Sequence, residues 1–170
     1  TKDGVTVINS YGERVNCVYE HIDWDASAAE KCGYPHFMIK EIMEQPEAIA
    51  KTIAPRISNG RIELGFKHIT AEMLKKVNSI KIIGCGSAYH VGFVAGYFMR
   101  AALRIPVESV LASEFRYDDP IVDENTLAIV ISQSGETLDT LYGLREAKKH
   151  GAKTIAIVNV VGSTIANESE

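Results

Sequence analysis

From Ser79 onward, short apolar runs alternate in regular phase with longer stretches whose apolar residues recur every three or four positions. This rhythm predicts strands at Ser79 to Gly84, Pro106 to Ala112, Leu127 to Ile131 and Lys153 to Asn159. Helices are predicted between them, at about Ala88 to Ala102, Ser113 to Tyr117 and Glu136 to His150. Leu127 to Ile131 is an unbroken apolar run with β-branched residues, as expected of a parallel strand buried on both faces. Such βαβαβ alternation implies an α/β fold, a doubly wound parallel sheet with helices on both faces. The helix from Glu136 is expected to bury Leu138, Leu141 and Leu144 or Ala147, with Lys148, Lys149 and His150 complementing its C-terminal end before Gly151.

Upstream the pattern is less regular. Val5 to Ile8 and Val15 to Tyr19 flank Asn9-Ser10-Tyr11-Gly12-Glu13, the composition of a hairpin turn. That hairpin is too small to stand alone and is expected to belong to the sheet of a preceding domain. A short helical stretch is predicted around Ser27 to Lys31, with Asp25 as a possible cap, before Gly33 and Pro35 mark a boundary. From Phe37 to Arg56 apolar residues fall near helical spacing, but Pro46 interrupts them, so two segments meeting near Gln45 are expected. Gly60 then closes the helix, Arg61 to Phe66 forms a small strand, and Thr70 with Glu72 opens another short helix. The organisation expected is residues 1–32 as the remnant of one domain, 33–60 as a helical linker and 61–170 as an α/β domain. The first residue is Thr1, and a helix begins after Gly162-Ser163 just before Glu170, so the chain is expected to be a piece of a longer polypeptide.

Composition narrows the function. With 170 residues, 46% hydrophobic and 24% charged, the chain has the makeup of an ordinary soluble protein with one well-filled domain. A net charge of −4 and a pI near 5.8, with no basic cluster, argue against a nucleic-acid surface. The longest apolar stretches are too short to cross a bilayer, and no signal pattern opens the chain. Cys17, Cys32 and Cys85 are odd in number and lack metal-ligand spacing, which points to a reducing, cytoplasmic setting without a zinc site.

Two turns carry candidate chemistry, and both fall at carboxyl ends of predicted strands, where ligands of open α/β sheets bind. In the second, Ser132, Ser134 and Thr137 supply hydroxyls, Gly135 a turn, and a new helix its unpaired amides. Those are the donors a phosphate dianion needs, and a handful of charge-assisted bonds could hold a sugar phosphate at about micromolar to millimolar affinity. Helix capping by Ser134 or Thr137 is the plainer alternative, although three hydroxyls in six positions exceed what capping needs. The first turn, Gly84-Cys85-Gly86-Ser87-Ala88-Tyr89, fails as a dinucleotide fingerprint at Tyr89, where a third glycine would stand. Gly86 and Ser87 fit either a plain tight turn or close backbone approach to a small ligand. Cys85 has His90 as its only nearby candidate base, and packing is the favoured role for the thiol. Glu136 would repel a neighbouring phosphate, so it is expected to point away and order the loop; Glu114 and Arg116 are expected to be surface residues.

These turns, with Ala112-Ser113-Glu114-Phe115-Arg116-Tyr117 between them, resemble a sugar isomerase (SIS) domain. His21-Ile22-Asp23-Trp24-Asp25, Gly33-Tyr34-Pro35-His36-Phe37-Met38, Lys40-Glu41-Ile42 and Gln45-Pro46 are more specific. They resemble the junction between glutaminase and isomerase domains in the glutamine:fructose-6-phosphate aminotransferase (glucosamine-6-phosphate synthase) family, and the resemblance covers nearly the whole chain. The resemblance implies a flavodoxin-like three-layer sandwich in a cytoplasmic enzyme of amino sugar biosynthesis, which makes glucosamine 6-phosphate from fructose 6-phosphate and glutamine. It implies that Ser132, Gln133, Ser134 and Thr137 bind the sugar phosphate and that Cys85, Gly86 and Ser87 contact the sugar. It implies a homodimeric parent, no metal or organic cofactor, and no membrane or nucleic-acid partner. The family's catalytic cysteine, lysine, glutamate and histidine match no position here, so the chain alone is expected to be inactive; its first sugar isomerase domain, 61–170, is expected to be truncated after the fourth strand, which leaves an open sheet edge. A sugar-phosphate sensor would need a helix-turn-helix and a basic face within residues 1–60, and neither is present. A deglycase would lack the Tyr34-Pro35-His36-Phe37 junction, and a nucleotide-dependent oxidoreductase is the weakest alternative because of Tyr89.

Overall fold

The computed structural model describes residues 4–16, 30–66 and 68–169, which fall into two compact units, Thr1–Glu63 and Leu64–Glu170. The candidate cap Asp25, residues 27–29 of the helical stretch expected to Lys31, Cys17 and the sequence His21 to Asp25 lie outside the described residues, while Glu30 and Lys31 are not helical.

In the first unit, β1 (Val7–Ile8) pairs antiparallel with β2 (Arg14–Val15), as the hairpin composition predicts. The Asn9 side chain accepts from the amides of Tyr11 and Glu13, both at 3.0 Å, and so ties the turn together. Helix α1 runs unbroken from Phe37 to Ile53 with Pro46 inside it, which corrects the expectation of two segments. Proline removes one ladder bond but fixes φ near the helical value, so a helix with good flanking turns continues through it. Gly60 closes no helix either. A 3-10 turn over Ala54–Arg56 leads into β3 (Ile57–Ser58), paired with β4 (Arg61–Ile62). Asn59 and Gly60 join these strands with φ of 51° and 74°, the left-handed pair that an Asn-Gly hairpin turn requires.

The second unit opens with α2 (Ala71–Lys75), where Thr70 caps by accepting from the Met73 amide at 3.2 Å. Four parallel strands follow: β5 (Ser79–Gly84), β6 (Val107–Leu111), β7 (Thr126–Ser132) and β8 (Lys153–Val158), in the order β6-β5-β7-β8. Helices α3 (Gly86–Leu103), α4 (Ala112–Phe115), α5 (Leu138–Lys149) and α6 (Thr164–Glu168) connect and flank them. This is the doubly wound α/β sandwich read from the alternation.

Strand periodicity divides the core into two layers. Ile80, Ile82, Leu127 and Ile129 turn to one face, where Ala95 and Met99 of α3 pack. Ile83, Ala128 and Val130 turn to the other, against Ala112 and Phe115 of α4, Leu141, Leu144 and Ala147 of α5, and Ile165 of α6. Helix α3 approaches the sheet at Gly92, where a Cβ would lie 2.7 Å from Ile82 Cγ2 and 2.8 Å from Ser109 Oγ. The close helix-strand contact that a third fingerprint glycine would provide therefore comes three positions after Tyr89. Leu138 is not part of the buried stripe: it is 66% exposed, because it begins α5 at the rim of the sheet, and Thr140 and Gly143 take inward positions beside Leu141 and Leu144. At the far side, Arg145 grips the Glu168 carboxylate through two bonds of 2.8 and 2.6 Å, holding that carboxyl below its ordinary pKa and tying α5 to α6.

Candidate functional site

The strand order defines a switch point in the sheet. The chain steps from β5 outward to β6, returns across β5 to β7 and continues to β8, so the order reverses between β5 and β7. A crevice opens at such a switch point, beyond the carboxyl ends of the strands. Gly84 pairs with Ile131 in register, so the turn after β5 and the turn after β7 emerge side by side. The start of α5 touches the first turn: Thr140 Oγ1 donates to Cys85 Sγ at 3.6 Å.

Each turn ends in the N-terminus of a long helix that its own cap leaves open. Cys85 is the N-cap of α3 and Thr137 that of α5, and neither side chain makes a capping bond. At the start of α3 the Ala88 and Tyr89 amides both turn back to Cys85 O, at 3.1 and 3.4 Å, so the amides that precede any helical carbonyl are those of Gly86 and Ser87; the macrodipoles place partial positive charge at both helix starts. Capping thus does not explain the hydroxyls. Ser132 Oγ, in a residue 4% exposed, accepts from the Gly135 amide at 3.0 Å and lies 3.1 Å from Thr137 Oγ1. Ser134 Oγ accepts from the Glu136 amide at 3.2 Å. A hydroxyl has one proton to give. Ser134 Oγ acts only as an acceptor here, and of Ser132 and Thr137 one proton serves the bond between them, so the turn has two hydroxyl protons without an acceptor among the described residues.

Gly135 holds this shape with φ of 68°, and a Cβ there would collide with Ser163 Oγ. On the neighbouring turn, Gly86 and Ser87 are exposed at the first positions of α3, and Gln133 is exposed beside the serines. The structure therefore brings Cys85, Gly86, Ser87, Ser132, Gln133, Ser134 and Thr137 to one end of adjacent strands. Cys85 packs against the core layer of Ile83 and takes its hydrogen bond from Thr140, while the His90 ring rests against Tyr89, 5.2 Å between centroids. Arg116 lies over the Tyr142 ring at 4.1 Å, and Glu114 accepts from Ser113.

Sequence reasoning missed two residues. Thr140, fully buried, links the turns, and its position one helical turn into α5 on the inward face was the available signal. Ser163, 4% exposed, packs against Gly135 from the β8 side; its Oγ has no hydrogen-bond partner among the described residues. Gly162-Ser163-Thr164 repeats the strand, hydroxyl turn and helix layout of the other two junctions.

Residues 73–170 match the family model of the SIS domain, and the chain belongs to that family. Along its whole length it is 53% identical to the glutamine–fructose-6-phosphate aminotransferase (isomerizing) of Clostridium tetani, and 46% identical over 99% of its length to that of Thermotoga maritima. It spans 28% of the length of each of these curated relatives. Among solved structures, it is similar to the C-terminal domain of glucosamine-fructose-6-phosphate aminotransferase from Francisella tularensis, with a TM-score of 0.76 and 41% identity over 83% of this chain and 40% of that one. Glucosamine-6-phosphate deaminase from Thermotoga maritima matches at a TM-score of 0.61 and 26% identity, over 79% of this chain and 38% of that one. Both the fold and the aminotransferase resemblance read from the sequence are borne out. Among the described residues, no helix is long and apolar enough to cross a membrane.

Proposed function

We propose that this chain supplies the sugar-phosphate-binding part of a glutamine-dependent fructose-6-phosphate aminotransferase, whose substrate is fructose 6-phosphate and whose product is glucosamine 6-phosphate. The observation that carries the reading is the meeting, at the switch point, of two uncapped helix N-termini with a serine turn that keeps hydroxyl protons to give. In this reading Ser132, Gln133, Ser134 and Thr137 surround the phosphate together with the first amides of α5. Cys85, Gly86 and Ser87 face the sugar. The site offers donors and a positive helix end but no lysine or arginine, which suits a dianion that must bind and leave. Its contribution to the reaction is orientation: anchoring the phosphate presents the far end of the sugar, where the amino group is transferred, at a fixed distance from the crevice. The same reading carries a homodimeric, cytoplasmic parent that uses neither membrane nor nucleic acid, in keeping with a net charge of −4.

Calorimetric titration tests it. Fructose 6-phosphate is expected to bind saturably and fructose not at all. Ser134→Ala, which removes one free donor to a charged oxygen, is expected to weaken binding about tenfold. Equal binding of fructose, or an unchanged affinity in Ser134→Ala, would overturn the reading.

A further inference from the structure

The serine turn does not hold its shape alone. The loop and helix after β8 reach it at three points: the Asn159 amide donates to Gln133 O at 3.3 Å, the Ile165 amide to Gly135 O at 3.0 Å, and the Thr164 amide to Glu136 Oε1 at 2.7 Å. Of these acceptors only the last is a side chain. Ser163 sits where a serine normally caps its own helix, yet it makes no capping bond, and its buried Oγ has no partner among the described residues because it is pressed against Gly135. The Glu136 carboxyl does the capping instead, from 28 residues upstream.

From this geometry we propose that Glu136 is a positioning residue: its carboxyl, bonded to the Thr164 amide, latches the serine turn to the β8–α6 loop and holds Ser134 and Gly135 in their ligand-ready conformation. The position of the acid explains how it is tolerated. Glu136 follows Ser134 by two residues and would oppose a phosphate if it faced the crevice. Its oxygen is engaged on the β8 side, and its own amide is occupied by Ser134 Oγ. One residue thus sets the serine hydroxyl through its backbone and fixes the neighbouring loop through its side chain. An amide side chain has the same acceptor as the acid, so the latch needs the oxygen and not the charge. The ligand in this inference comes from the sugar-phosphate reading above; the latch itself rests on the hydrogen bonds alone.

The test compares the 170-residue chain with Glu136→Ala and Glu136→Gln in two measurements. The first is amide hydrogen exchange without ligand. Glu136→Ala is expected to speed exchange at Gly135, Glu136 and Thr164 by about tenfold or more, and Glu136→Gln to stay within about threefold of the parent. The second is calorimetric affinity for inorganic phosphate and fructose 6-phosphate, expected to fall about tenfold in Glu136→Ala and to be restored in Glu136→Gln. Unchanged exchange in Glu136→Ala overturns the latch. So does an unchanged affinity, or a Glu136→Gln chain as impaired as the alanine variant. If the parent chain binds neither phosphate compound, the sugar-phosphate reading fails, and the exchange rates still decide the latch.

Discussion

A Gly135→Ala chain is expected to lose fructose 6-phosphate binding and about 2–5 kcal/mol of stability. Two independent costs add at this position. The backbone stands at φ of 68°, which an L side chain adopts only under strain, and the new methyl would collide with Ser163 Oγ and lie 2.5 Å from Ser163 Cβ. The residue has no easy way out. Its amide is held by Ser132 Oγ and its carbonyl by the Ile165 amide, so turning the peptide to relieve the strain breaks a buried bond on each side. Urea denaturation measures the first effect and calorimetry the second. A variant that keeps the parent's midpoint and affinity would show that neither the left-handed conformation nor the Ser163 contact matters.

Leu144→Ala is expected to act on stability alone. Leu144 is fully buried on α5 within the layer of Ile83, Ala128, Val130 and Phe115, and truncating such a leucine costs about 3 kcal/mol in lost burial and residual cavity. It lies seven residues beyond Thr137, or about 10 Å along the helix axis, so the serine turn keeps its contacts. At a temperature where the variant remains folded, its affinity for fructose 6-phosphate is expected within about threefold of the parent. The denaturation midpoint and the titration read these two effects separately. Ser134→Ala gives the converse pattern, affecting binding with little change in stability, since that residue is only half-buried. A Leu144→Ala chain that loses affinity as severely as Ser134→Ala would contradict a site held by the turn itself.

The sheet was legible because its signal is redundant. Runs such as Leu127 to Ile131 are apolar on both faces, and the helical stretches between them keep a consistent phase, so the strands and their alternation could be read within a residue or two. The candidate site's clustering was legible for a related reason: hydroxyls and glycine at strand ends are local features, and the parallel topology forces strand ends together. What escaped the sequence depends on non-local geometry or on competing local rules. Pro46 reads as a break, yet its ring is compatible with helical φ and α1 absorbs the lost bond. Gly60 reads as a helix stop, yet Asn59-Gly60 between short apolar runs is the stronger, hairpin signal, and it is the hairpin that forms. Leu138 fits the buried period but lies where the helix has not yet reached the sheet. Ser163 and Thr140 matter through neighbours 28 and 55 residues away, at Gly135 and Cys85, and no window of sequence contains those pairs.

In the proposed function, the ends of β5 and β7 receive a sugar phosphate on the serine turn. Amide chemical shifts of the chain, followed during titration with fructose 6-phosphate and then with fructose, test this most directly. Large, saturable shifts are expected at Ser134, Gly135 and the first turn of α5, smaller ones at Gly86 and Ser87, and no response to fructose. Shifts confined to other surfaces, or a response to fructose equal to that for its phosphate, would contradict it.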